Sequence, residues 1–259
     1  MTMPRKATRS ELALISSLHR PNHRREAGLF VAEGVKVVGE LMQSGIKLKW
    51  LVGLQSYFEE HHQELSRCET ISVSPGELER ISGLTSPNQV VAVAEIPLPS
   101  QIIFQPSGQT FLLLDGISDP GNLGTLIRTA EWFGVNAVVA SAGSVDFWNP
   151  KVVQAAMGSL FRLPVIQSDL LDVMNQARAA GISHQIGGVL GGGPLNSLNR
   201  NNESVIIVVG SESHGITDDI QNQLTHRLAI PKAIHSPTES LNATVAAGIL
   251  MHHFQLDKG

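Results

Sequence analysis

The spacing of apolar residues along the 259-residue chain changes character partway through. Before residue 95, short apolar runs alternate with amphipathic segments, predicting a helix over residues 11–18, a strand over 29–32, a helix over 35–44 and strands over 49–52 and 90–94. Beyond residue 109 the runs become continuous, at Phe111-Leu112-Leu113-Leu114, Ala137-Val138-Val139-Ala140 and Val205-Ile206-Ile207-Val208-Val209. Such runs suit strands buried on both faces of a parallel sheet, with helices on either side. Between the two regions, Ile96-Pro97-Leu98-Pro99-Ser100 and Gln105-Pro106-Ser107-Gly108 interrupt all periodicity. The pattern therefore predicts an α/β chain with a smaller domain over residues 1–97, a linker over 98–109 and a larger domain over 110–259.

Loops at the carboxyl ends of parallel strands are where such sheets build ligand sites. Three segments fall there: residues 115–122, 210–215 and 231–240. In the first, Asn122 reads as a helix cap ahead of Leu123, Leu126, Ile127 and Ala130, with Gly134 as the stop. Arg128 should lean over Gly124 toward the capped end, where a helix N-terminus favours anions. Taken alone, Arg128 reads more readily as a surface arginine on an ordinary helix. In the second, Gly210 and Gly215 bracket the single acid Glu212, a pattern that also caps ordinary helices. The third joins a strand ending at Ile230-Pro231 to a helix opening at Ser240-Leu241-Asn242, small and apolar nearly all round, which predicts deep burial. Gly187-Gly188 and Gly191-Gly192-Gly193-Pro194 lack the Lys-Ser/Thr of a phosphate loop and read as a flexible turn.

Charge adds a second asymmetry. Residues 1–50 hold nine Lys/Arg against four Glu, whereas the remainder holds ten against nineteen acids. The basic end is the candidate contact for a polyanion, with Arg20, Arg24 and Arg25 around Asn22-His23 as phosphate ligands. An ordinary solvated charge run explains the same residues equally well. No apolar run approaches a membrane span and residues 1–9 lack a signal-like stretch, so a cytoplasmic protein without membrane attachment is expected. Cys68 is the only cysteine, and the histidine pairs His61-His62 and His252-His253 lack the spacing that places two ligands on one helical face. No metal is expected.

In order and spacing, the three loop segments resemble the motifs of the SpoU (TrmH-like) branch of the SPOUT RNA ribose 2′-O-methyltransferases. The first motif stands as Asn122, Gly124 and Arg128, the second as Gly210, Glu212 and Gly215, and the third as Ile230-Pro231 with Glu239-Ser240-Leu241-Asn242 and Ala246-Ala247. Asp146, Asn149-Pro150-Lys151, Gly158-Ser159 and Phe161-Arg162-Leu163-Pro164-Val165 are similar to the family's connecting region. Residues 30–36, Phe-Val-Ala-Glu-Gly-Val-Lys, resemble an attached substrate-binding domain of ribosomal-protein L30e-like fold.

The resemblance implies a trefoil-knotted sheet, an obligate homodimer, and S-adenosylmethionine held near Gly210, Ile230 and Leu241 with Glu212 and Asn242 shaping its pocket. It implies catalysis by Arg128, as base or as fixed cation, with help from Asn122 and Ser240, and RNA contacts that include Lys36. The implied substrate is ribosomal RNA, with transfer RNA as the alternative. Residues 232–238 depart from the family pattern: the loop is two residues longer and has no glycine. A non-catalytic RNA binder could share the fold, yet Asn122, Arg128 and Asn242 are all present. A Rossmann-type enzyme would need the Gly-x-Gly-x-x-Gly that is missing after the first strand of the larger domain.

Overall fold

The computed structural model describes residues 4–61 and 68–255, so His62 lies outside the described residues. The chain forms two compact units, one holding the chain up to Leu98 together with Asp146–Arg162, the other holding Pro99–Val145 and the chain from Leu163 onward.

In the first unit, strands β1 (Arg5–Lys6), β2 (Leu29–Glu33), β3 (Leu48–Gly53), β4 (Glu69–Ser72) and β5 (Val90–Glu95) form a mixed sheet in the order β1-β4-β3-β5-β2. Strands β1, β4 and β3 are parallel, while β5 runs antiparallel to β3 and β2. Its helices are α1 (Arg9–Ser17), α2 (Pro21–Ala27), α3 (Val35–Gln43), α4 (Gln55–Glu60) and α5 (Pro75–Ile81). Ile15, Leu18, Val31, Val52, Ile71, Ile81 and Val93 are buried in one core cluster, each contributing roughly 1.5–3 kcal/mol by leaving water. Helix α1 opens with a capping box between Thr8 and Glu11. The Arg5 guanidinium bonds Glu11 and Glu69, and holds the Glu11 carboxyl down at about 2.

In the second unit, strands β6 (Thr110–Asp115), β7 (Ala137–Ala140), β8 (Val165–Gln167), β9 (His184–Pro194), β10 (Val205–Gly210) and β11 (His226–Ala229) lie in the order β11-β9-β10-β6-β7-β8. Every pairing is parallel, as the uninterrupted apolar runs require. Helix α6 (Pro120–Trp132) follows β6. Helices α8 (Leu170–Ala179) and α9 (Asp218–Gln221) contribute Leu170, Val173, Met174 and Ile220 to a core with Phe111, Leu113, Val139 and Val208. The alternate residues of β10 and β6 point to the opposite face, where helix α10 (Ala243–His253) packs on β10 and on α6.

Three details differ from the sequence expectations. The glycine run 187–193 is no flexible turn but part of strand β9, and its pairing with β11 shifts register between Arg227 and Leu228. A Cβ on Gly192 would come within 2.7 Å of the Arg227 carbonyl oxygen, and one on Gly187 within 2.4 Å of Leu224. The glycines thus admit close neighbours. Strands β8 and β4 were not expected. Helix α10 buries Ala243, Ala247, Leu250 and Met251 yet leaves Val245 and Ile249 exposed, so it has one unpartnered apolar face.

The segment Asp146–Arg162, placed by sequence within the larger domain, packs in the first unit. Its helix α7 (Pro150–Ala156) lies against β2, Trp148 and Phe161 meet Phe30 with ring centroids 4.6 and 6.1 Å away, and Arg162 pairs with Glu40. Arg24 completes the contact and corrects its expected role as an RNA ligand. It is fully buried, its Nε and Nη2 donating to Asp146 Oδ2 at 3.0 and 2.7 Å and its Nη1 to the Leu18 carbonyl at 2.8 Å. One turn of α2 turns Arg24 inward while Arg20 and Arg25 remain exposed.

Candidate functional site

The carboxyl end of the parallel sheet brings the three loop segments together. After β6, Gly116 N donates to Ser141 Oγ at 2.9 Å and Ile117 N to Ser144 Oγ at 3.1 Å, which fixes the path of the loop toward α6. Asn122 does not cap α6, as the sequence suggested. Asp119 is the cap, because Pro120 favours the first helical position and the Asp119 carboxylate accepts Asn122 N at 2.7 Å. The Asn122 side chain is thereby left free to reach across the sheet.

After β10 the chain folds back sharply. Gly215 N donates to Ser211 O at 2.8 Å, and a Cβ on Gly210 would come within 2.0 Å of the Gly215 carbonyl carbon. Any side chain at position 210 would force this loop open, and Gly215 itself has φ +68°, a conformation that favours glycine. The loop projects Glu212 toward the start of α10. There Asn242 is the cap, its Oδ1 accepting Thr244 N at 2.9 Å.

Glu212 Oε1 is the meeting point. It accepts from Asn122 Nδ2 at 3.1 Å, from Ala243 N at 3.4 Å and from Asn242 Nδ2, and Asn242 Nδ2 also approaches Asn122 Oδ1 at 3.4 Å. Residues separated by up to 120 positions thus share one hydrogen-bonded cluster, open to solvent at Glu212 and Asn242. The carboxylate also lies at the N-terminus of α10, where the helix dipole stabilises negative charge.

The other sequence-predicted residues stand around this cluster with less contact. Gly210 shapes the loop that carries Glu212. Ile230 is half-buried at the end of β11, and Leu241, just before α10, is 45% exposed. Ser240 is exposed on the irregular stretch that follows β11, where Ser236 N turns back to Ala233 O. Arg128 is exposed on α6 and lies six residues beyond Asn122, about 9 Å along the helix axis. It shares its face with Gly121, Thr125 and the 83%-exposed Trp132. Helix α10 packs beside α6 at Gly248, whose Cβ would meet Thr129 at 3.7 Å. Lys36, Arg20 and Arg25 are exposed in the first unit. Asp119, Asp115, Ser141 and Ser144 were not singled out by sequence. Asp119 was legible as an Asp-Pro helix start. Asp115 accepts Thr217 N at 2.7 Å, a contact between positions 102 residues apart, and no local signal announces it.

An adenosine-bearing sulfonium ligand suits this donor set. The partly exposed apolar side chains Ile230 and Leu241 can cover a flat base, the loops' backbone edges can serve its polar rim, and the Glu212 carboxylate complements cationic groups. Among the described residues no three His, Cys, Asp or Glu are grouped to hold a metal ion, and no helix is long and apolar enough to cross a membrane.

Comparison with known proteins gives the arrangement a lineage. A family model described as the SpoU rRNA Methylase family matches residues 109–252, and one described as the MRM3-like substrate binding domain matches residues 11–92. The chain is 30% identical over 239 residues to the Bacillus subtilis 23S rRNA (guanosine(2553)-2′-O)-methyltransferase RlmP, covering 92% of this chain and 93% of that one. It is 27% identical to the Streptomyces viridochromogenes 23S rRNA (uridine(2479)-2′-O)-methyltransferase, covering 89% and 84%. An AdoMet-bound rRNA methyltransferase from Sinorhizobium meliloti superposes with a TM-score of 0.85 at 28% identity, over 96% of this chain and 95% of that one. With the motif residues meeting at Glu212 and both halves of the chain matched, the protein belongs to the SpoU rRNA methylase family.

Proposed function

We propose that this chain transfers the methyl group of S-adenosylmethionine to the 2′-oxygen of a ribose in ribosomal RNA of the 23S type. The observation that carries this reading is the convergence of Asn122, Glu212 and Asn242 at one carboxylate oxygen. The bound cofactor supplies an electrophilic methyl carbon on a sulfonium. Gly210, Ile230 and Leu241 would hold it, with Glu212 and Asn242 shaping the pocket.

The chain's own work is alignment and charge. Glu212 fixes the amide of Asn122, so that its oxygen presents a defined acceptor and its nitrogen a defined donor to a ribose. Arg128 acts as a fixed cation, since a guanidinium stays protonated and is suited to a developing alkoxide and an adjacent phosphate. Ser240 assists from the opposite loop. In the first unit, exposed Arg20, Arg25 and Lys36 bind RNA phosphate.

A homodimer belongs to the same reading. Trp132, Leu241, Val245 and Ile249 are 83%, 45%, 49% and 36% exposed on the neighbouring helices α6 and α10 and their entry, an apolar surface suited to a second copy. Arg128 shares the Trp132 face and would enter a site completed by both protomers. The family's trefoil knot in the C-terminal unit and a cytoplasmic location also belong to this proposal.

The test is transfer of a labelled methyl group from S-adenosylmethionine to unmodified ribosomal and transfer RNA transcripts. Wild type should label ribosomal RNA at a ribose. Arg128→Ala should lose transfer while cofactor affinity stays within about twofold. A large loss of cofactor binding would refute the role given to Arg128, and labelling of transfer RNA alone would replace the substrate class.

A further inference from the structure

The chain passes from one unit to the other at the Val145–Asp146 peptide bond, and both sides of that bond are tied down. In the first unit, Asp146 Oδ2 takes two N–H groups of buried Arg24, while its Oδ1 accepts Trp148 N at 3.0 Å. In the second, Val145 N donates to Ile117 O at 2.8 Å, and Ile117 N returns to Ser144 Oγ at 3.1 Å. Two residues beyond Ile117 stands Asp119, whose carboxylate holds Asn122 N at 2.7 Å. From Arg24 to Asn122 every link is a peptide segment or a hydrogen bond of 3.1 Å or less.

The upstream end of this path lies in α2. Arg24 N donates to Arg20 O at 3.2 Å, Arg24 Nη1 holds the Leu18 carbonyl at the α1–α2 junction, and exposed Arg20 and Arg25 flank the buried guanidinium. A polyanion engaging Arg20 and Arg25 would load the same short helix that grips Asp146. An apolar pair could fill this space with less desolvation cost. The two-pronged ion pair instead holds Asp146 by two directional bonds to one oxygen.

We propose that Arg24 and Asp146 are positioning residues that couple RNA engagement by α2 to the placement of the Gly116–Asn122 loop at the methyl-transfer site. This rests on the methyltransferase reading above. Neither residue touches the reacting atoms. Their effect should therefore fall on turnover after both ligands are bound.

Two measurements test the coupling. The first compares wild type with the double variant Arg24→Met/Asp146→Leu, which replaces the ion pair by apolar side chains and avoids an orphaned buried charge. Cofactor and ribosomal RNA affinities should stay within about threefold of wild type, while kcat should fall about tenfold or more. An unchanged kcat in the folded variant, or a loss of activity wholly accounted for by weaker RNA binding, overturns the proposal. The second needs no variant: hydrogen exchange of wild type with and without an unmodified ribosomal RNA transcript, in the absence of cofactor. Amides of residues 116–119, 121 and 122 should become slower to exchange by about tenfold when RNA binds. No change there, although RNA is bound, overturns the coupling even if the double variant fails to fold. Absence of methyl transfer by the wild type would instead remove the methyltransferase reading, and the proposal with it.

Discussion

Two polar clusters in this molecule are built from similar bonds and serve opposite ends. Arg24 and Asp146 meet in the interior of the first unit, where the guanidinium is fully buried and three of its N–H groups are satisfied. Asn122, Glu212 and Asn242 meet at the rim of the parallel sheet, with Glu212 and Asn242 exposed. In the first, the guanidinium is shut off from water, and loss of Asp146 would leave its charge with nothing to replace the partner. In the second, solvent can replace any partner, so the cluster adds little to stability and its value lies in holding side chains in one geometry. Burial, more than bond count, separates the scaffold from the site.

The largest effect should come from breaking the buried cluster. Asp146→Ala leaves the fully buried Arg24 guanidinium without its carboxylate and should lower unfolding stability by about 3–5 kcal/mol, read by denaturant melts. A loss below about 1 kcal/mol would show that water repairs the site and would erase the contrast. Glu212→Ala should invert the pattern. Stability should change by less than about 1 kcal/mol, since the amides of Asn122 and Asn242 can turn to solvent, while methyl transfer should fall about 100-fold because the geometry is no longer held. Equal losses in both readouts would make Glu212 a structural residue.

The Arg5–Glu11 pair sharpens the comparison from between these extremes, and its effect should be the smallest. The Glu11 carboxyl lies near 2 in the folded chain, below its ordinary 4.5, chiefly through its bonds to Arg5. A depressed folded value means the unfolded chain binds the proton more readily. The stabilisation is therefore present above about pH 4.5 and is lost as pH falls toward 2. Glu11→Gln should flatten the stability profile in that window, with a small loss of stability at neutral pH and none near pH 2 and below, where wild type has already lost the contribution. A wild-type profile already flat there would show that solvent screens the pair.

Where the sequence was legible, the reason is local. The runs at 111–114, 137–140 and 205–209 suit strands buried on both faces, and β6, β7 and β10 occupy them. Strand β8 escaped because three residues, half-buried to exposed, carry no periodicity. Asn122 was misread as a cap because Asn is a good cap in isolation, yet Asp119 before Pro120 is a better one. Arg24 was read with Arg20 and Arg25 as one charge run, since nothing in residues 20–25 tells that an acid 122 positions away will meet only one of them.

By itself, then, the order of residues determined the alternation of strands and helices, the parallel character of the second sheet, and the three loops that would bear chemistry. These follow from side-chain periodicity and turn preferences, which act over a few neighbours. Only the tertiary structure decided that Glu212 is where Asn122 and Asn242 meet, that the glycines of β9 make room for the chain at Arg227 and Leu224, and that Asp146–Arg162 belongs with the first unit. Those outcomes depend on which distant groups are brought within about 3 Å, and hydrogen bonds and close contacts lose their force beyond that range.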